Sequence, residues 1–231
     1  MVLVAKVFEV KEKVDFTTVV RKLKDFREEQ PLESGEKLLS EIQEIKMEKD
    51  AIQGVFTKDF VLSRYYRGEP VETLVTEEVP FWLKRFKDRT FLIVLAPSKA
   101  RGVKKLLTAY VANKLSEILF IKVGAIVETE ITHETLKRLH ESNPQATKLI
   151  WFDSVDIPGV AKIALAGTGL ADTGLYKEHL KHGKIWYAVF EIKKRGLVVG
   201  ITRNCVITLF SRSEVSDFVM YVMEEVLPLI S

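Results

Sequence analysis

Cysteine is nearly missing from this chain: Cys205 stands alone. One thiol can build neither an intramolecular disulfide framework nor a cysteine-rich zinc site, and a reducing, cytoplasmic setting is expected. It opens an apolar run, Cys-Val-Ile-Thr-Leu-Phe, that reads as a strand, so a buried, inert thiol is expected. Histidine is scarce as well. His133 and His140 are too far apart on a short helix to share a metal ion, and His179 with His182 finds no third ligand, so no metal or cofactor site is expected. No apolar run approaches the ~20 residues of a membrane span. Met1-Val-Leu-Val-Ala is followed at once by Lys6 and alternating charge, unlike a signal peptide. Membrane partners are therefore not expected. Asn and Gln are few beside Lys and Glu, a composition similar to that of thermophile surfaces.

The 231 residues are 47% hydrophobic, enough for one large core or two small ones. Residues 2–10 are apolar and β-branched, as in a buried strand. Asp15 is placed to cap a helix over 16–29 that Gln30-Pro31 ends. Strands are expected over 39–48, 51–66, 71–86 and 90–96. Arg67-Gly68 supplies one turn, and Pro80 predicts an edge or a bulge. Ser98 opens a long helix to Leu119, with Val103, Leu106, Leu107, Tyr110, Val111 and Leu115 on one face.

A strand at 121–131 then begins the same order again. Thr132 caps a short helix that stops at Asn143-Pro144. Strands follow at 147–155, 184–193, 197–202 and 205–210. Ser211 and Glu214 form a capping box before a last helix. Adding 112 to the apolar positions 103, 106, 107, 110, 111 and 115 gives 215, 218, 219, 222, 223 and 227, apolar as well. The expected fold is α+β: two tandem β-α-β-β-β-β-α halves, 1–120 and 121–231. Together they would form a curved, mainly antiparallel sheet with helices on one face. The second half carries a glycine-rich insertion near 156–183, read as a mobile loop.

Strand, helix, four strands and helix, repeated with the helix running straight into the next strand, resembles the TATA-box-binding protein family. The resemblance implies an internally duplicated sheet and a role in nucleic-acid binding, transcription or DNA handling. That family wedges pairs of phenylalanines between base steps. Here Tyr65-Tyr66 stands at one turn and only Phe190 is near the other, so TATA recognition itself does not carry over.

Charge is the strongest local feature. Lys84, Arg85, Lys87, Arg89, Lys99, Arg101, Lys104 and Lys105 lie close together against one acid, Asp88. Lys193, Lys194 and Arg195 form a second group. Such clusters can neutralise phosphates, so DNA or RNA is the first expected partner. The acids gathered between Glu28 and Asp50 fit the alternative, an assembly module that meets an acidic protein surface through its basic patches. Catalytic residues are not expected. Glu44-Ile-Lys46 has the Glu-x-Lys form of a nuclease class, but Glu9-Val-Lys11 and Glu191-Ile-Lys193 share it, and no aspartate completes a metal site. Ala166-Gly-Thr-Gly169 through Gly174 matches neither a P-loop nor a dinucleotide fingerprint.

Overall fold

The computed structural model describes residues 2–96 and 104–231, without the side chains of 104–106. The described residues hold twelve strands and five α-helices, in mainly antiparallel sheet. They divide into two compact units: Phe8–Val127, and Met1–Val7 together with Glu128–Ser231. The division differs from a cut after residue 120. The N-terminal residues belong with the second unit, and 121–127 belong with the first.

Strand β1 (Leu3–Val10) contributes its end to the first unit. There follow α1 (Phe16–Lys24), β2 (Arg27–Pro31), β3 (Lys37–Met47), β4 (Ala51–Tyr66), β5 (Glu69–Phe86), β6 (Arg89–Leu95) and α2 (Lys104–Phe120). The strand order is β2-β3-β4-β5-β6-β1. Asp15 caps α1 as expected, its carboxylate accepting from the Thr18 N–H at 2.8 Å. Leu23 of α1 and Leu107, Val111, Leu115 and Leu119 of α2 share one core with Phe56, Phe81 and Leu92 of the sheet. Burial of each such side chain is worth about 1.5–3 kcal/mol. Gly54 lies under the buried Phe81 ring, where a Cβ would come within 2.7 Å of a ring carbon. Pro80 lies one residue outside the β5–β6 ladder, which begins at Phe81↔Val94, so its missing N–H removes nothing from it.

The second unit begins with Leu3–Lys6 of β1 paired antiparallel to Leu209–Val206. Its later elements are the end of β7 (Ile126–Glu128), α3 (His133–Ser142), β8 (Thr147–Asp153), β9 (Ile163–Ala166), α4 (Gly174–His182), β10 (Lys184–Ile192), β11 (Leu197–Thr202), β12 (Val206–Leu209) and α5 (Val215–Tyr221). Their order is β1-β12-β11-β10-β8-β9. Beyond α5 the chain makes a π turn over Val222–Val226 and a 3₁₀ turn over Leu227–Leu229.

Several expected elements are corrected. Five strands, not four, follow α1, because Arg27–Pro31 forms an exposed edge strand on β3. All of its residues are exposed, so no alternation marks it. The strand expected over 121–131 shrinks to three residues. Ile121 (φ 58°) and Gly124 (φ 88°) turn the chain first, and a β-branched residue in that region marks a tight turn. The 156–183 insertion is not a bare loop. Its β9 pairs with β8, and Thr173 caps α4, which buries Tyr176. Ser211 makes no capping box: its hydroxyl accepts from the Val198 N–H at 3.0 Å, and Glu214 precedes α5 without a side-chain bond.

Candidate functional site

Four of the eleven cations singled out by sequence have polar partners within their own unit. Lys84 pairs with Asp50 at 2.7 Å. Arg85 donates to the Val14 carbonyl at 3.1 Å and lies over the Phe16 ring, 4.4 Å from its centroid. Arg89 grips Glu9 with two bonds, Nε to Oε1 at 2.8 Å and Nη2 to Oε2 at 3.0 Å. Lys11 adds a third contact to Glu9 at 2.6 Å. The hydrogen bond from Arg89 outweighs the opposing effect of burial, and the Glu9 carboxyl is held down at about 2. Arg195 is held by Glu224 and, at 3.5 Å, by Glu225. Lys87 lies over Phe86 at the tip of the β5–β6 turn and has no carboxylate partner among the described residues. Lys99 and Arg101 lie outside the described residues. Lys104 and Lys105 open α2, and their side chains lie outside as well.

The other chemical candidates read simply. Glu44 sits in a bulge of β3 with φ 53°, between the pairs Gln43↔Val55 and Lys46↔Gln53. Among the described residues no group of three or more His, Cys, Asp or Glu could hold a metal ion. Cys205 is fully buried, which pushes its thiol up to about 11, so it is not a nucleophile at neutral pH. No described helix is long and apolar enough to cross a membrane.

Two features of the described residues are open to a partner or ligand. The first is the outer part of the β4–β5 hairpin. β3 pairs with β4 only as far as Ser40↔Lys58, and β6 pairs with β5 only from Phe81 onward. Between these limits the pairs Phe60↔Val75 to Tyr66↔Glu69 form a two-stranded ribbon with no third strand among the described residues. Seven pairs give it a length of about 23 Å. Arg67 and Gly68 close it with φ 52° and 87°, the primed turn that two-residue hairpins favour. Toward its tip its residues stay in solvent, with Tyr65 83% and Tyr66 64% exposed and Val61, Val71 and Leu74 exposed too, while Phe60 at its base is half-buried against the core. Such a ribbon is only marginally stable alone in water.

The second feature is a cavity of about 510 Å³ within the second unit. The end of α3, the turn Pro144–Ala146, the end of β10 and the helical segment 221–229 enclose it. Asn143-Pro144 stops α3, so Asn143 and Gln145 face the space rather than the helix ladder. Between the pairs Val189↔Leu149 and Phe190↔Thr147 the β8 strand carries one extra residue, Lys148, a bulge opposite Phe190, which lines the cavity. Lys193 and Lys194 follow from the β10 end and are exposed. A smaller space of about 210 Å³ lies beside Arg203, which pairs with Asp153 at 2.6 Å.

Sequence reasoning named Lys193 and Lys194 from charge alone. Asn143, Gln145 and Tyr221 carried no signal of the cavity, apart from the Asn-Pro helix stop.

No known protein family and no curated protein matches this chain. Among solved structures it is similar to DynU16, a protein from the dynemicin biosynthetic locus, at 12% identity over 94% of this chain and 91% of that one. The TM-score is 0.25, and no inference is drawn from so loose a superposition.

Proposed function

We propose that this chain is a non-enzymatic assembly protein that joins a second copy of itself through the β4–β5 ribbon. That reading rests on one observation: a ribbon about 23 Å long with exposed apolar pairs and unpaired outer edges. Unpaired edges are templates for strand addition. The β5 edge is guarded by Pro70 and Pro80 and by Glu69, Glu72, Glu77 and Glu78. The β4 edge has no proline and only Asp59 and Arg64 as charges between Asp59 and Tyr66, so it is the open one. Antiparallel pairing of two β4 edges about Ser63 sets Phe60 opposite Tyr66 and Val61 opposite Tyr65. The same register sets Asp59 opposite Arg67. Aromatic–aliphatic and opposite-charge pairs of this kind stabilise a ladder by roughly 0.2–1 kcal/mol each, and a two-fold axis repeats them.

Nucleic-acid binding is the second proposal. It is favoured by Lys87, Lys193 and Lys194, which have no carboxylate partner among the described residues.

Sedimentation equilibrium over a range of concentrations tests the first reading. The wild-type mass should rise toward a dimer. A variant in which Asn-Gly replaces Val61–Leu74, closing the hairpin at Phe60–Val75, should stay monomeric with its melting unchanged. A wild-type monomer at every concentration overturns self-assembly. Titration with duplex DNA, single-stranded DNA and RNA at two salt concentrations tests the second, and salt-sensitive binding should then weaken on neutralising Lys87, Lys193 and Lys194.

A further inference from the structure

The cavity in the second unit is large enough for a small molecule, since such sites span about 300–1,000 Å³. Its most buried lining residues are Phe190, Tyr221 and Ala146, and its exposed ones include Lys193 and Lys194. By exposure, then, an apolar floor lies beneath a cationic rim.

The charges around it do not cancel. Glu191 is tied to Lys148 at 2.7 Å, and Glu225 and Glu224 are tied to Arg195. Two cations thus meet three carboxylates, and Lys193 and Lys194 are left over. Counted together, four cations face three acids, a net charge of one positive at the rim.

The floor carries an unused donor. Tyr221 is 3% exposed, and among the described residues none bonds its hydroxyl. Burial holds the phenol in its protonated form, so it offers an O–H. With no partner among the described residues, that O–H is available to a ligand in the cavity. Two backbone irregularities also border this space: the β8 bulge at Lys148, opposite Phe190, and the π turn that begins after Tyr221. Both kinds of irregularity are common where a chain shapes a site.

We propose that this cavity binds a small anionic amphiphile, with its apolar body on Phe190 and its acidic group met by Lys193 and Lys194. Asn143 and Gln145 supply further polar atoms on the same wall. The acidic group could be a carboxylate, a sulfonate or a phosphate, which share the charge the lysines read. Ribbon docking and this site rest on separate observations, so either can fail alone.

The probe is 8-anilinonaphthalene-1-sulfonate, an anion with an apolar body that fluoresces in apolar surroundings. One saturable site is expected on the wild-type protein. Lys193→Gln with Lys194→Gln should weaken it by ~10-fold or more, about 1.4 kcal/mol, and leave the melting curve in place because both residues are exposed. Ala146→Phe should fill the space and abolish the site. The uncharged probe N-phenyl-1-naphthylamine should be displaced by Ala146→Phe but be indifferent to the lysine changes. Probe binding that neither the lysine pair nor Ala146→Phe alters overturns the proposal. So does the absence of saturable binding on a folded wild-type protein. If Ala146→Phe fails to fold, the exposed lysine pair decides the matter alone.

Discussion

Two helical segments with the same apolar spacing pack in different ways. Shifting the apolar positions of α2 by 112 gives those of the C-terminal segment. Yet α2 runs as one regular helix of 17 residues that buries Leu107, Val111, Leu115 and Leu119 in a closed core. The C-terminal segment holds α-helical form for seven residues, widens into a π turn, then tightens into a 3₁₀ turn at Pro228. Pro228 has no N–H to return to the preceding turn, so a regular helix cannot continue through it. The cavity lies along this irregular stretch, against Tyr221, Glu225 and Leu229. Apolar spacing selects which face is buried, while the path of the backbone decides whether that face closes or leaves a space.

Deletion of buried volume should separate the two most sharply. Leu115→Ala removes a fully buried side chain from the closed core and should cost about 2–5 kcal/mol in urea unfolding. Leu229→Ala, half-buried at the cavity wall, should cost about 1 kcal/mol or less, because neighbouring space already exists. Equal losses would show that the second segment is as tightly packed as α2.

Acid should separate the units next. In the first unit Glu9 has a folded pKa of about 2 against 4.5. Its contribution is present above about 4.5 and lost as pH falls toward 2, and amounts to roughly 3 kcal/mol at most. Glu9→Gln should therefore flatten acid unfolding in that range. All four histidines lie in the second unit. His140 is fully buried, with Nδ1 2.8 Å from the Thr147 hydroxyl and Nε2 unpartnered, and burial lowers its pKa. Burial lowers that of His133 too, whose Nδ1 accepts the Ile185 N–H at 2.7 Å and must be unprotonated there to do so. The folded second unit refuses protons that the unfolded chain takes up. Its stability is thus full above about 6.5 and falls as pH drops through that value. Hydrogen exchange at pH 7 and pH 5 should show β10 and β11 losing protection while β5 and β6 keep theirs.

The smallest effect expected is on Tyr221→Phe. The lost hydroxyl has no protein partner, so stability should change by less than about 0.5 kcal/mol, or rise slightly. A loss above 1 kcal/mol in thermal melts would reveal a bond that stabilises the empty site.

Elements that bury one face were legible in the sequence. Runs of β-branched and apolar residues marked β1, β6, β10 and β11, and Asp15 and Thr132 marked the starts of α1 and α3. Arg67-Gly68 marked the turn of the ribbon. Elements without a buried stripe escaped. β2 is Arg-Glu-Glu-Gln-Pro, and β9 is four residues held by its pairing with β8. The cavity escaped for another reason. A bulge at Lys148, opposite Phe190, and a π turn after Tyr221 come from how strands and helices pack, and no local residue pattern announces them. The basic clusters were visible as charges, but the carboxylates that neutralise Lys84, Arg89 and Arg195 lie far away in sequence.

The pairing of Leu3–Lys6 with Val206–Leu209 also sets a timetable for synthesis. At about 5–20 residues per second, the ribosome needs roughly 10–40 s to travel from one strand to the other. Through that interval Leu3–Lys6 lack their β12 partner, whereas everything that Phe8–Val127 requires is complete well before it ends. The first unit can settle while the second is still being made. One edge of β1 meets β6 early, and the edge that β12 covers is left open in the nascent chain until the last strands are made.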